Sequence, residues 1–155
     1  MSTGQDIVAR EVVPPMTAVT IDRVVTLEAR LMDLPQIELK TTHELHAGMY
    51  ARTIRIPAGT LLTGALIRVP TILVVSGHVS VFTGANRALH LRGYSVVPAS
   101  AGRKQVFYAV EDTDLTMLFP TAARTIAEAE AEFTDEADKL MTRRTLSNEI
   151  MFTEG

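Results

Sequence analysis

The sequence contains no cysteine, which removes disulfides, thiolate metal ligands and a cysteine nucleophile together. It has no basic run longer than the pair Arg143-Arg144, and its formal net charge is −3. A surface that binds nucleic acid by neutralising phosphates needs the opposite balance. Long apolar runs are missing too: the most apolar stretch, Ile72 to Val75, is far too short to cross a bilayer. Met1 to Val19 lacks the positive-then-apolar order of a signal peptide. These absences set the expectation of a cytoplasmic protein with neither nucleic acid nor membrane as partner. What is present suffices for a core. With 46% hydrophobic residues in 155, one domain with short extensions is expected.

The patterning divides the chain into three parts. Residues 1–35 read as a Pro14-Pro15-containing arm followed by a short amphipathic helix between Ile21 and Leu34, stopped by Pro35. Residues 36–121 carry short apolar runs between turn residues: Pro57-Ala58-Gly59, Ser76-Gly77, Gly84-Ala85-Asn86, Gly93 and Glu111-Asp112. Turn signals at this spacing predict an all-β barrel or sandwich. Thr53 to Ile56 and Val79 to Phe82 alternate as half-buried strands do, whereas Thr71 to Val75 does not and predicts a strand buried on both faces. An eight-stranded jelly roll fits the count. Residues 122–155 begin with an Ala- and Glu-rich helix, Ala122 to Phe133. Thr134 is then placed to cap a second helical stretch running to Met141.

The stretches Gly48 to Thr60, with its Ile-Pro-Ala-Gly-Thr turn, and Gly102 to Thr113 resemble the cupin superfamily, and in particular short cupin-like proteins encoded in bacteriophages and prophages. The resemblance covers His43 to Thr121. It implies a cupin-like jelly-roll barrel with an N-terminal helix and a C-terminal helical extension. Cupin enzymes hold a metal with two His and one Glu from a first Gly-bounded motif and a third His from a second. Mapped onto this chain, the first motif falls between Gly59 and Gly77, with Ala65, Ile67 and Pro70 or Thr71 at the ligand positions. The second falls on Gly93, Pro98 and Gly102, with Gln105 where the third His stands. A transition metal wants imidazole or carboxylate in most positions, so the expectation is no cofactor and no catalytic residue.

Two other chemistries remain. His43, Glu44 and His46 form the one cluster of metal-binding types at short spacing, although an odd separation on a strand sends the two histidines to opposite faces. His78 and His90 read as surface or satisfied barrel histidines, and a grouping of His46, His78 and His90 inside the barrel is the alternative. Arg52, Arg68 and Lys104, with Arg55 and Arg103 beside them, could line an anion pocket, because guanidinium binds carboxylate or phosphate in a bidentate fashion. Strand alternation makes outward-facing arginines the default. Tyr50, Tyr94 and Tyr108 are expected to be buried with one hydrogen bond each. Glu111-Asp112 reads as a solvated hairpin tip.

The extensions are apolar in places, notably Leu146, Ile150, Met151 and Phe152, and such arms find burial on a neighbouring subunit. The leading expectation is therefore a non-catalytic structural or interaction protein that forms homo-oligomers, plausible as a bacteriophage virion component. The alternative is a small-molecule (anion) binder or a metal-dependent enzyme with a relocated site.

Overall fold

The computed structural model describes residues 12–84 and 86–140, and the backbone of 148–152. Helix α1, Ala18–Leu31, starts where Thr17 Oγ1 accepts a hydrogen bond from the Thr20 amide at 3.2 Å. A threonine in this role satisfies one of the orphan N–H groups of the first turn. The helix ends before Leu34, because the backbone tightens through Asp33 and Leu34 ahead of Pro35.

Eight strands come next: β1 Thr41–His46, β2 Met49–Ile56, β3 Leu61–Thr63, β4 Thr71–Gly84, β5 Arg87–Ala99, β6 Val106–Ala109, β7 Thr113–Pro120 and β8 Asn148–Phe152. They form one curled sheet in the order β3-β6-β4-β7-β2-β1-β8, with β5 added along β4. All pairings are antiparallel except β1 with β8. The architecture is all-β, a cupin-like jelly roll with helices at both ends. Inward side chains of opposite walls make the core, with Tyr50, Ile56, Val75, Val79 and Val81 fully buried. Burying a valine or isoleucine of this kind stabilises by about 2 kcal/mol.

Two expected turns are not turns. Gly77 and Gly93 face each other in the middle of the long β4–β5 ribbon, and there the ribbon changes partners. Before Gly77, β4 pairs with β7; beyond it, β4 pairs with β6. Gly77 has φ +144°, and a Cβ there would lie 2.5 Å from Thr113 Oγ1 and 2.7 Å from the Asp112 carbonyl oxygen. Glycine is needed at this bend because β7 begins directly against it. Thr71 to Val75 also departs from expectation: it alternates, with Leu73 and Val75 inside and Ile72 exposed. An all-apolar run can thus be half-buried when nothing covers its outer face.

Helix α2, Ile126–Phe133, begins four residues later than the sequence pattern suggests, because Thr125 caps it by accepting from the Glu128 amide at 3.2 Å. Ala129 and Phe133 seal one end of the core, with Phe133 stacked on Tyr50 at 6.3 Å between ring centroids. Thr134 does cap the next turn, accepting from the Glu136 amide at 3.1 Å, but that turn is a single 3-10 element, Ala137–Lys139, and not a helix. The described parts of both extensions fold onto their own barrel, contrary to the expectation of burial on a neighbour. Val13 bridges to Ala99 and is 1% exposed, and β8 extends the sheet beside β1. The rest of the predicted arms, residues 1–11, 141–147 and 153–155, lies outside the described residues.

Candidate functional site

The curl of the sheet leaves a cavity of about 730 Å³ between the barrel walls, within the range of roughly 300–1,000 Å³ common for small-molecule sites. Ile54 of β2, Leu73 of β4, Phe107 of β6, Leu115 and Met117 of β7 and Phe133 of α2 form its apolar wall. Its mouth lies between the end of α1 with the segment after it, strand β3 and the 3-10 turn. Leu34 and Ile37, on the segment after α1, are exposed there.

Two polar side chains break the apolar lining, both from the segment leading into β6. Gln105 is 4% exposed and Arg103 is 1% exposed. Arg103 Nε donates to Gln105 Oε1 at 3.1 Å. That bond fixes which end of the amide is oxygen, so Nε2 is the free end, and it has no hydrogen-bond partner among the described residues. Arg103 also donates to the Ser100 carbonyl oxygen at 2.7 Å and to Thr71 Oγ1 at 2.7 Å. Its partners are all neutral: the ion pairs formed among the described residues do not include it. Burial alone pulls its guanidinium down to about 10, so the charge is still present at neutral pH.

The anion-pocket residues read from the sequence are not brought together. Arg52 lies 3.1 Å from buried Glu130 and sits over the Phe133 ring at 5.7 Å. Arg68 is at the surface, where Nε donates to the Glu132 carbonyl oxygen at 3.0 Å and the head group bonds Asp135 and the Ala131 carbonyl. It thereby caps the C-terminal end of α2, a favourable place for a cation. Lys104 Nζ is buried and bonds the Gly64 carbonyl oxygen at 3.0 Å, Glu28 of α1 at 3.1 Å and Glu136 at 3.3 Å. Each of the three is paired with a carboxylate from a terminal extension. Outward-facing is the wrong orientation for Lys104 and Arg103, which are buried. Arg55 is the one that follows the default, exposed beside Asp112 and Asp114.

The histidine candidates are also dispersed. Alternation on β1 points His43 inward and leaves Glu44 and His46 exposed. His43 Nδ1 is 2.7 Å from the Tyr50 hydroxyl, and burial pushes the Tyr50 phenol up to about 12 although Arg52 opposes the shift. His90 bonds Ser80 at 2.9 Å on the outer side of β5, and the His78 amide donates to Thr113 Oγ1 at 3.1 Å. His46, His78 and His90 therefore do not group. Tyr94 and Tyr108 are exposed rather than buried. Asp112 accepts from the Ala58 amide at 2.8 Å in the β6–β7 turn.

The positions that hold metal in cupin enzymes do surround this cavity, but their chemistry does not fit a metal. Ala65 and Ile67 present hydrocarbon to it. The Thr71 hydroxyl and the Gln105 carbonyl oxygen are both occupied as acceptors for Arg103, and a neighbouring guanidinium repels a cation. Among the described residues no three His, Asp or Glu side chains come together as a metal site.

No family model matches the chain, and no curated protein is significantly similar to it. Among solved structures it is similar to salicylate 1,2-dioxygenase from Pseudoaminobacter salicylatoxidans, with 17% identity and a TM-score of 0.48 over 73% of this chain and 36% of that one. It is also similar to a cupin superfamily protein from Desulfitobacterium hafniense, with 8% identity and a TM-score of 0.46 over 60% of this chain and 86% of that one. A third is a cupin-2 domain protein from Shewanella frigidimarina, with 10% identity and a TM-score of 0.42 over 64% and 98%. The chain spans little more than a third of the dioxygenase's length. Likeness at this level carries nothing about activity. The class defined by the fold is a cupin-like jelly roll.

Proposed function

We propose that the chain is a non-catalytic, cupin-like binding protein whose barrel takes a small organic molecule without a metal. The observation that carries this reading is Gln105 Nε2, a buried amide donor without a partner among the described residues, at the wall of an apolar cavity. Leaving such a donor unmade costs about 1–3 kcal/mol, a cost that an acceptor atom on a bound molecule removes. A barrel serving only as scaffold gains more by filling this space with side chains. The carboxylates at the mouth support a non-catalytic role, since Glu28 and Glu136 are both held by Lys104.

The test is calorimetric titration with 2-naphthamide, a neutral planar probe, in the presence of EDTA. Saturable one-to-one binding is expected, lost in Ala65→Phe, which fills the cavity from a half-buried position. No binding, or binding only after a divalent metal is added, overturns the reading.

Assembly of copies of the chain is a second reading, supported by the outer face of the β4–β5 ribbon, where Ile72, Tyr94 and Val96 are exposed together. The bacteriophage resemblance adds the setting, a virion. Light scattering should then give a dimer or larger that Tyr94→Lys reduces to monomer. A monomer at every concentration removes this reading.

A further inference from the structure

We infer that the molecule taken by the barrel is an apolar monocarboxylate whose charged end is received by Arg103 and Gln105. The inference rests on the binding reading above and adds the sign of the ligand's charge. Its basis is a contrast among the buried cations of this chain. Arg52 has Glu130, and Lys104 has Glu28 and Glu136. Arg103, as deeply buried as Lys104, has only a carbonyl, an amide oxygen and a hydroxyl as close partners. A buried charge is stable when it is paired as well as hydrogen-bonded, and among the described residues the pairing partner is missing from the protein side.

The donors point to the same ligand. A guanidinium carries five N–H bonds. Nε, Nη1 and Nη2 of Arg103 each have one close acceptor, and a further Nη1 contact, to the Val69 carbonyl oxygen, is long at 3.5 Å. One Nη2 hydrogen is therefore left over. Gln105 Nε2 contributes its own hydrogens. These donors belong to two side chains that bond each other and that both line the cavity. A carboxylate, with two acceptor oxygens and a negative charge, satisfies both at once. The remaining wall is hydrocarbon, which sets the apolar body. Burial lowers the Arg103 guanidinium only to about 10, so it stays a cation under physiological conditions. Glu28 and Glu136 share Lys104 at the mouth and are partly exposed. They disfavour a second negative charge at the outer end of the ligand, which limits it to a single carboxylate.

The experiment compares 2-naphthoate with its neutral isostere 2-naphthamide by calorimetry on the full chain at neutral pH. Charge-assisted hydrogen bonds exceed neutral ones by about 1–1.5 kcal/mol, so the wild-type protein should bind naphthoate about tenfold more tightly. Gln105→Glu places a carboxylate beside Arg103 without changing size, and should abolish or reverse that preference. Gln105→Leu removes the amide donor but leaves the charge, so it should weaken both probes while keeping the preference. Equal affinities in the wild type, or an unchanged preference in Gln105→Glu, overturn the inference and leave the binding reading intact. Binding of neither probe overturns both.

Discussion

Lys104 is where the two extensions of the chain meet, and Lys104→Met removes its charge while keeping most of its stem. The ammonium is 1% exposed, whereas Glu28 and Glu136 are 33% and 26% exposed. Breaking a fully buried ion pair costs about 3–5 kcal/mol, because the surviving charge is stranded. Here the survivors reach water, so the lower part of that range applies, about 2–3 kcal/mol. The variant also loses the bond to the Gly64 carbonyl and leaves two carboxylates facing each other. Glu28 keeps its bond from Thr63 Oγ1 at 2.9 Å, so the residual repulsion is borne mainly by Glu136. A second substitution, Glu136→Gln, should therefore restore about 1 kcal/mol. Urea denaturation reads this as a lower midpoint with an unchanged slope. Hydrogen exchange should show α1 losing protection before the barrel strands do. A change below about 0.5 kcal/mol with α1 still protected would refute the idea that Lys104 holds the mouth of the cavity together.

Other consequences concern the barrel itself. Gly77→Ala should destabilise by about 3 kcal/mol or more in the same assay, since overpacking and a left-handed φ act together; a loss under about 1 kcal/mol would mean that β7 can move away. The Tyr50 phenol has a folded-state value of about 12 against an ordinary 10.0. Above pH 10 the unfolded chain ionises this tyrosine while the folded chain resists, so stability present below that pH is lost as pH rises towards 12. By about pH 11 the loss is about 1 kcal/mol, and Tyr50→Phe, although less stable at neutral pH for want of the His43 bond, should show a flatter alkaline decline. Parallel declines would contradict this. Arg103 contributes the opposite slope at still higher pH and is common to both proteins, so the comparison cancels it.

Much of the architecture is legible in the amino-acid order because turns and alternation are local. The β1 alternation separates His43 from Glu44 and His46 by parity alone, and the cupin resemblance lands Gln105 on the cavity. The errors share one cause, that glycine signals a tight φ without saying what surrounds it. Gly77 and Gly93 satisfy the requirements of a bend within a ribbon as well as those of a turn. Burial of Ile72 depends on whether a layer covers the outer face, which no pattern within residues 71–75 encodes. The site residues fail for a related reason. Arg103 looks like one more strand arginine, and its lack of a carboxylate is visible only once Arg52, Arg68 and Lys104 have taken theirs from distant parts of the chain. The free amide end of Gln105 depends on the Arg103 bond and so was beyond sequence reasoning. Its position opposite an absent histidine was the signal available.

The most direct measurement is the side-chain amide resonance of Gln105 in ¹⁵N NMR, assigned by its disappearance in Gln105→Glu and followed during titration with 2-naphthoate in EDTA. A saturable shift of that amide, matching the calorimetric affinity, is the predicted result. Binding of naphthoate with the Gln105 amide unmoved would place the ligand elsewhere and contradict the account.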